Sequence, residues 1–473
     1  MKVLFASSEA YPFAMSGGLS DVAGALPKAL RKRLVGCRVV MPLYSSIPDE
    51  LREKMTFITS ITVSVAWRRQ YCGIFEAHMN GVIYYFIDNQ YYFKRDGLYG
   101  HYDDAERFAF FSRAVLDIIP HIGFTPDIIH CNDWQTAMIP VYLDTLYRES
   151  PEHRSIKTVF TIHNIQYQGK YGKELTGDVL GIPYESESLV EYDGCINLLK
   201  GAIQCADKVT TVSPTYAREI LDPYYSHGLD GILKQFTYKL TGIVNGIDYE
   251  VYNPETDSMI YRNYSADELD GKAYNKKMLL REMGLPEDTD TPVIGIVTRL
   301  VKHKGIDLVK HVFEELLKAD VRFVILGSGE WEYETFFHDA ATRHPDKVAL
   351  KLGFNPQLAH RIYAGADIFL MPSQSEPCGL AQMVALRYGT VPIVRETGGL
   401  NDTVSDSGDG EGNGFTFKNY NAHDMENTVW RALSGFADKE GWDILRRRDM
   451  LCENSWGASA NAYIRLYKEL LAH

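Results

Sequence analysis

The 473-residue sequence lacks features that mark several common classes of protein. Its seven cysteines are odd in number and include no Cys-x-x-Cys pair, so neither a disulfide framework nor a cysteine zinc motif is indicated. No run of about 20 apolar residues is present, and the short apolar N-terminal run meets Glu9 at once, so we expect no membrane span and no signal peptide. These absences predict a cytoplasmic chain with reduced thiols.

Positive charge is also scarce. There are 49 Lys and Arg against 62 Asp and Glu, which gives a formal net charge of −13. Such a surface repels phosphate backbones, so no nucleic-acid partner is expected. A neutral polymer would not be repelled, whereas a small anionic ligand would need locally concentrated Lys and Arg. The chain is long enough for two or three globular domains, and the sequence leaves its oligomeric state open.

Two series of short β-branched and aromatic runs alternate with helix-length segments, which predicts parallel sheets covered on both faces. The first series is 3–6, 38–41, 82–87, 127–130, 158–162, 208–212 and 242–244, and the second is 293–298, 321–326, 348–352, 368–371 and 392–394. A polar stretch over 253–292 separates them. The predicted fold class is therefore α/β, with two doubly wound parallel-sheet domains facing each other across a cleft. Ligands bind at the carboxyl ends of such strands.

Two candidate segments lie in the first domain. Gly17 and Gly18 precede a predicted helix that carries Asp21, where backbone can approach a ligand and the helix start favours an anion. The alternative is an ordinary loop with a capping residue. His163 and Asn164 follow an apolar strand, and His163 can bind a sugar hydroxyl, shuttle a proton, or be structural.

Two further segments lie in the second domain. Arg299 and Lys304 follow a strand and can bind a diphosphate, whose negative charge grows as its bond to the sugar breaks. The alternative interpretation of this segment is a solvated turn. Glu376 lies between a strand and a helix that begins near Gly379, where it can bind sugar hydroxyls or only complement the helix dipole. The only Asp-x-Asp, at 288–290, lies in the polar linker, so no metal is expected.

The segment 91–102 is dense in aromatic residues and includes Tyr92 and Tyr99. Sugars stack on such rings, so this segment is a candidate wall for an acceptor. Packing beside a hinge is the competing interpretation.

A set of motifs in a fixed order carries a resemblance to a known family. The motifs are Gly17-Gly18-Leu19 with Asp21-Val22, Asp104 through Arg107-Phe108, His130 with Asp133-Trp134, His163-Asn164, Val212-Ser213-Pro214, Asn245-Gly246-Ile247-Asp248, Arg299 with Lys304-Gly305, Glu376-Pro377-Cys378-Gly379-Leu380, Tyr388-Gly389-Thr390 and Thr397-Gly398-Gly399-Leu400. Over nearly its whole length the sequence resembles the bacterial glycogen (starch) synthases, glycosyltransferase family 5, of GT-B fold.

The resemblance implies an enzyme that transfers glucose from ADP-glucose to the non-reducing 4-hydroxyl of an α-1,4-glucan or malto-oligosaccharide, with retention and without a metal or other cofactor. It implies catalytic roles for Glu376, His163, Arg299 and Lys304. The implied donor-binding residues are Gly17, Gly18, Asp21, Asn164, Asn245, Arg299, Lys304, Cys378, Gly379, Leu380, Thr397, Gly398 and Gly399. Tyr92, Tyr99, Asp133 and Trp134 are the acceptor candidates.

The predicted domains are 1–246 and 247–457, with a C-terminal helix, 458–473, that crosses back onto the first domain. One motif departs from the family pattern. The family has Lys-x-Gly-Gly-Leu, and here the lysine position is Met15, which cannot donate to a phosphate. A weakly active or non-catalytic glucan-binding paralogue therefore stays open. Separately, a retaining transferase that uses UDP-glucose is a further open interpretation.

Overall fold

A computed structural model describes residues 1–472, apart from the side chain of Asp409. The chain forms two compact units: unit 1 comprises residues 1–243 and 456–473, and unit 2 comprises residues 244–455. The predicted domain limits were 246/247 and 457/458, and His473, at the end of the predicted C-terminal helix, lies outside the described residues. No helix in the described part of the chain is long and apolar enough to cross a membrane.

Unit 1 contains a nine-stranded sheet and a small three-stranded sheet. Its strands are β1 (Lys2–Ala6), β2 (Gly36–Pro42), β3 (Thr56–Val65), β4 (Arg68–Met79), β5 (Val82–Asp88), β6 (Ile128–Asn132), β7 (Lys157–Ile162), β8 (Lys170–Tyr171), β9 (Glu191–Tyr192), β10 (Cys195–Asn197), β11 (Lys208–Thr211) and β12 (Leu240–Gly242). The large sheet has the order β12-β11-β7-β6-β1-β2-β5-β4-β3, and the small one β8-β10-β9.

The sheet of unit 1 is parallel as predicted, except at one edge, where an unpredicted antiparallel hairpin is added. β4 runs antiparallel to both β3 and β5, while the other pairs of the nine-stranded sheet are parallel. The β3–β4 hairpin was missed because β3 alternates polar and apolar residues, as a half-exposed strand does, rather than forming a continuous apolar run. The strand predicted at 242–244 ends earlier, at Gly242.

Helices cover the sheet of unit 1. They are α1 (Gly18–Lys32), α2 (Asp49–Arg52), α3 (Gln90–Phe93), α4 (Asp104–Asp117), α5 (Met138–Tyr142), α6 (Leu198–Cys205), α7 (Pro214–Glu219) and α8 (Asp230–Gln235). Short 3-10 or π turns lie at Ile119–His121, Trp134–Thr136, Leu143–Tyr147, Thr176–Leu180, Tyr184–Leu189 and Thr237–Lys239.

Unit 2 contains one six-stranded parallel sheet. Its elements are α9 (Asp270–Glu282), β13 (Val293–Val297), α10 (Ile306–Leu316), β14 (Arg322–Gly327), α11 (Trp331–Arg343), β15 (Val348–Leu352), α12 (Pro356–Gly365), β16 (Ile368–Met371), α13 (Ala381–Arg387), β17 (Val391–Arg395), α14 (Gly398–Thr403), β18 (Phe415–Phe417), α15 (Ala422–Ala437) and α16 (Lys439–Met450), with 3-10 turns at Lys302–Lys304 and Ser407–Asp409. The strand order β15-β14-β13-β16-β17-β18 is the doubly wound Rossmann order.

Burial explains why these elements form. The apolar residues of α10 recur at helical spacing on one face and are buried, with Ile306, Val309 and Phe313 fully covered in the core of unit 2. The last helix, α17 (Trp456–Leu471), belongs to unit 1. There the hydroxyl of Tyr467 lies 2.6 Å from Nδ1 of His130 in the middle of β6, and Arg33 donates to Asn461 at 2.7 Å.

Candidate active site

Three neighbouring strands, β13, β16 and β17, end at one edge of the unit 2 sheet. The loops and helix starts after these strands carry the predicted residues of the second domain: Arg299 and Lys304 after β13, Glu376, Cys378, Gly379 and Leu380 after β16, and Thr397, Gly398 and Gly399 after β17. The first two loops are joined, because Gln374 N–H donates to the carbonyl of His303 at 2.9 Å. Strand order thus brings together motifs that are far apart in sequence.

Glycine allows the second and third loops to touch. Gly399 N–H donates to the carbonyls of Glu376 at 3.2 Å and Pro377 at 3.1 Å. A Cβ on Gly398 would collide with the Glu376 carbonyl oxygen, and one on Gly399 would collide with that of Cys378. The pair Gly398-Gly399 therefore fixes the backbone under Glu376, which gives these glycines a packing role in addition to any ligand role.

Lys304 and Glu376 form the central ion pair of this cluster. Lys304 Nζ donates to Glu376 Oε2 at 2.6 Å, and Ser373 Oγ donates to the same oxygen at 3.0 Å. The two charged side chains are 17% and 9% exposed, so the pair is largely removed from water. A cation and a carboxylate in contact at the carboxyl edge can polarise a bound ligand, because charges interact more strongly where water is excluded.

Arg299 adds a second, more accessible cation. Its guanidinium is exposed and donates to His303 Nε2 at 3.3 Å, and no carboxylate ion-pairs with it among residues 1–472. Partial burial and then the charges of Lys304 and Arg299 lower the pKa of His303, so its ring is neutral and able to accept. Arg299 therefore keeps its charge available for an anion.

Asn245 lies against the Glu376 loop from the start of unit 2. Its backbone N–H donates to Cys378, and burial raises the pKa of the Cys378 thiol to about 12, so this cysteine stays a neutral packing group. The side-chain oxygen of Asn245 is buried, and the described residues offer it no hydrogen-bond partner. An unpaired buried acceptor of this kind is a candidate ligand contact.

In unit 1 the adjacent strands β6 and β7 place Asp133 beside His163. Asp133 Oδ1 accepts from His163 N–H at 2.7 Å, and His163 Nε2 donates to Asn132 Oδ1 at 2.9 Å. Asp133 adopts φ +56°, an uncommon conformation for aspartate that costs about 1 kcal/mol or more. Such strain persists where the surrounding structure fixes it, and here the Asp133–His163 contact does so.

His163 is uncharged at neutral pH. Burial of the imidazole lowers the pKa of His163 to about 3, although the residue as a whole is only half-buried. Because Nε2 donates to Asn132, Nδ1 carries the lone pair and can accept a hydrogen bond from a hydroxyl. Of the interpretations of His163 above, this geometry favours hydroxyl binding over proton transfer.

The glycine motif of unit 1 forms an open loop at the start of α1. Met15, Ser16, Gly17 and Gly18 are all exposed, and a Cβ on either glycine would meet no other atom within 4 Å. Gly17 is extended, with φ −172°, so neither strain nor packing requires glycine here. The missing side chains leave room for a ligand. Partial desolvation raises the pKa of Asp21 to about 6, although its side chain is still solvent-accessible.

The aromatic acceptor candidates differ in burial. Tyr92 is fully buried and donates to Glu106 at 2.6 Å, so its ring has no face for a sugar, and the expectation of acceptor contact does not fit its position. Trp134 is 8% exposed and packs edge-on against Phe108. Tyr99 is half-buried, with its hydroxyl 2.7 Å from Ser8 Oγ.

Three residues of this geometry were not predicted: Asn132, which orients His163; Ser373, which donates to Glu376; and Glu9, which binds the glycine loop. Asn132 and Ser373 lie next to predicted motifs, but nothing local signals which side chain they meet. No cluster of three or more His, Cys, Asp or Glu suited to a metal occurs among the residues that the structure describes.

Comparison with known proteins identifies the chain. Residues 2–235 match the model of the starch synthase catalytic domain, and residues 283–440 match glycosyl transferases group 1. Glycogen synthase of Bacillus cereus is 54% identical with full coverage of both chains, and that of Geobacillus thermodenitrificans is 52% identical over 100% of this chain and 98% of its own. The catalytic domain of Arabidopsis thaliana starch synthase IV, solved with ADP and acarbose, has a TM-score of 0.92 at 34% identity, covering 100% of this chain and 99% of its own.

Together with these matches, the two Rossmann-like units show that the chain is a glycosyltransferase of GT-B fold. Within that class, the chain belongs to the glycogen synthase family. The predicted family and fold class are confirmed.

Proposed function

We propose that this chain transfers glucose from ADP-glucose to the non-reducing 4-hydroxyl of an α-1,4-glucan, with retention of configuration and in the cytoplasm. The observation that carries the proposal is the Lys304–Glu376 pair at the shared edge of β13 and β16, with the exposed charge of Arg299 after β13. The identity of 54% to a glycogen synthase over the full length of both chains supports transfer of glucose to a glucan.

Unit 2 would act on the leaving group. Arg299 would bind the diphosphate bidentately, and Lys304 would neutralise charge as the bond to glucose breaks. Glu376 would hold Lys304 in place and accept from sugar hydroxyls. The buried, unpaired oxygen of Asn245 would accept a further hydrogen bond from the donor.

Unit 1 would bind hydroxyls of the transferred glucose and of the acceptor. Nδ1 of His163 would accept from a glucose hydroxyl while Asn132 fixes the tautomer. The open space at Gly17 and Gly18 would admit the donor close to the backbone. Asp21 would accept from a sugar hydroxyl in its ionised form.

Retention would follow from a displacement on one face of the sugar, with the departing phosphate accepting the acceptor's proton. Retaining hydrolases instead use two carboxylates about 5 Å apart, one of them as a nucleophile. Here Oε2 of Glu376 already accepts from both Lys304 and Ser373, which lowers its nucleophilicity. A trapped covalent glucosyl-Glu376 species would contradict this mechanism.

A second candidate function rests on Met15. This side chain is 58% exposed in the glycine loop, where the family has a lysine, so the loop offers no cation to a phosphate. A glucan-binding paralogue with little or no turnover is the alternative. The loss of one charged hydrogen bond costs about 1.5–3 kcal/mol, a rate loss of tens to hundreds, so we favour an active enzyme.

The test is an elongation assay on the purified chain. ADP-glucose or UDP-glucose is incubated with malto-oligosaccharide primer in EDTA, and diphosphate release and chain length are followed. We expect elongation from ADP-glucose that Glu376→Gln and Lys304→Ala each reduce by at least about 100-fold. Lys310→Ala is the matched control, because Lys310 also lies 2.6 Å from a glutamate, Glu332, but on the solvent face of unit 2.

Each outcome assigns a function. Preference for UDP-glucose would replace the donor, and activity lost in EDTA would contradict the expectation that no metal is needed. Turnover seen only in Met15→Lys would mean that this chain is a silenced paralogue. Glucan binding without turnover in either form would favour a binding protein.

A further inference from the structure

Glu9 is a buried carboxyl group that holds the glycine loop of unit 1. The side chain is 3% exposed, and its Oε2 accepts from the backbone N–H of Ser16 at 2.6 Å. Its own backbone is fixed as well, because Ser7 Oγ donates to the Glu9 carbonyl at 2.6 Å. Glu9 therefore presents a rigid acceptor to a loop that has few other contacts.

The loop is anchored at both ends but open in the middle. At one end Ala10 N–H donates to Ala14 at 3.1 Å, and at the other Ser20 Oγ donates to the Gly17 carbonyl at 2.7 Å. Between these anchors the exposed segment 15–18 has no buried side chain. The hydrogen bonds from the backbone and side chain of Ser16 to Glu9 tether that segment to the protein interior.

The acidic surroundings of Glu9 make its ionised form unfavourable. Asp21 and Asp133 are the carboxyl groups that interact electrostatically with Glu9, and Tyr44 and Tyr99 are the neighbouring phenols. Burial raises the pKa of Glu9 to about 7, with a smaller contribution from the charge of Asp21, although the hydrogen bonds from the side chain and backbone of Ser16 favour the ionised form. A buried acid set among other acids is expensive, so a residue whose only task was packing would be better apolar.

We propose that Glu9 is a positioning residue: by holding the Ser16 amide it fixes the backbone of Gly17 and Gly18 for donor binding. The inference rests on the function proposed above, since it takes the ligand of this loop to be ADP-glucose. A loop released from Glu9 samples other conformations, and the donor must then select the competent one, which weakens apparent affinity.

The test combines a measurement on the free protein with one on turnover. Glu9→Ala removes the acceptor, Glu9→Gln keeps a side-chain carbonyl, and Ser16→Pro removes both Ser16 donors, the N–H and the hydroxyl, while leaving Glu9 intact. Asp117→Asn is the control, because Asp117 is also a partly buried carboxyl of raised pKa in unit 1 but bonds Tyr147 instead. Deuterium exchange of the 10–20 peptide is measured without ligand, and KM for ADP-glucose and kcat are measured with primer.

We expect faster exchange of this peptide and a KM raised about tenfold, with kcat within about twofold, in Glu9→Ala and in Ser16→Pro. Glu9→Gln and Asp117→Asn should stay close to the parent in both measurements. Unchanged exchange in the first two variants would overturn the tether, and faster exchange with unchanged KM would overturn the positioning role. A parent protein without turnover would refute the proposed function instead, because exchange is read without substrate.

Discussion

The imidazole of His163 donates through Nε2 to the side-chain oxygen of Asn132 at 2.9 Å. Asn132 is fully buried, and its amide nitrogen donates to the carbonyl of Ala6 at 2.9 Å, so its orientation is set by the main chain of β1. The tautomer of a candidate catalytic histidine is thus determined by a residue of the neighbouring strand. Such outer contacts commonly fix which ring nitrogen faces a ligand.

The first prediction concerns the charge of His163. Because burial lowers its pKa to about 3, its ring should remain neutral from pH 5 to 8 and show no titration in NMR spectra of labelled histidines. Asn132→Asp places a carboxylate beside Nε2, which favours the imidazolium, so the pKa of His163 should rise. His163→Gln identifies the resonance. A His163 signal that titrates near pH 6.5 in the parent would contradict the assignment.

The second prediction concerns the stability contributed by the Lys304–Glu376 pair. Removal of Lys304 leaves a largely buried carboxylate without its partner, so Lys304→Met should destabilise unit 2 more than Lys304→Met with Glu376→Gln does. We expect a coupling energy of about 2 kcal/mol, below the value for fully buried pairs because Lys304 keeps some contact with water. Urea unfolding of the parent, of Lys304→Met, of Glu376→Gln and of the double variant measures this coupling energy.

The matched cycle uses Lys310 and Glu332, whose side chains are 35% and 61% exposed. That exposed pair should couple by no more than about 0.5 kcal/mol. Equal coupling in the two cycles would mean that burial adds nothing to the Lys304–Glu376 interaction.

The sequence predicted the class of the fold because its signal is local. Strands such as β13 and β16 are continuous apolar runs, and helix α10 shows its buried stripe in the spacing of Ile306, Val309 and Phe313. The β3–β4 hairpin was not predicted, because its alternating polar and apolar residues resemble a partly exposed segment. Nothing in the local sequence indicates that this hairpin joins the sheet as an antiparallel edge.

The candidate site was predicted as a set of residues but not as a geometry. Lys304 and Glu376 were singled out on separate motifs, whereas their contact depends on β13 and β16 being neighbours in the sheet. The aromatic neighbours of Tyr92 predict an exposed ring. Its burial is decided by the packing of helix α4 over it, which has no signature in the 91–102 segment. A single sequence does not show which residues distant along the chain come into contact in the fold.

The third prediction concerns the pH dependence of stability. The pKa of Glu9 is about 7 in the folded chain against 4.5 for the free side chain, so between these values the folded state binds the additional proton. The contribution of Glu9 to the free energy of unfolding is therefore fully present below pH 4.5. This contribution falls as the pH rises toward 7, by up to about 1.4 kcal/mol per pH unit. Asp21 and Asp133, with pKa values raised to about 6 and about 7, act in the same direction.

Glu9→Gln cannot ionise, so unfolding of unit 1 measured at pH 5, 6 and 7 should show a smaller decline than in the parent. Asp178→Asn is the control, because the pKa of exposed Asp178 is lowered, which gives the opposite sign. A parent whose stability rises from pH 5 to 7, with a slope that Glu9→Gln leaves unchanged, would show that Glu9 titrates as a solvated glutamate.

The fourth prediction concerns the contact between the loops after β16 and β17. Gly399 N–H donates to the carbonyls of Glu376 and Pro377, and a Cβ at position 399 would collide with the carbonyl of Cys378. Gly399→Ala must therefore push α14 away from the backbone that carries Glu376. A displacement of about 1 Å in a catalytic group costs roughly 100-fold in rate, so kcat/KM should fall by that order, with a smaller loss of thermal stability.

Gly177→Ala is the control, since a Cβ there meets nothing within 4 Å. Full activity in Gly399→Ala would mean that the position of Glu376 does not depend on this contact, and the catalytic assignment of Glu376 would lose its structural support.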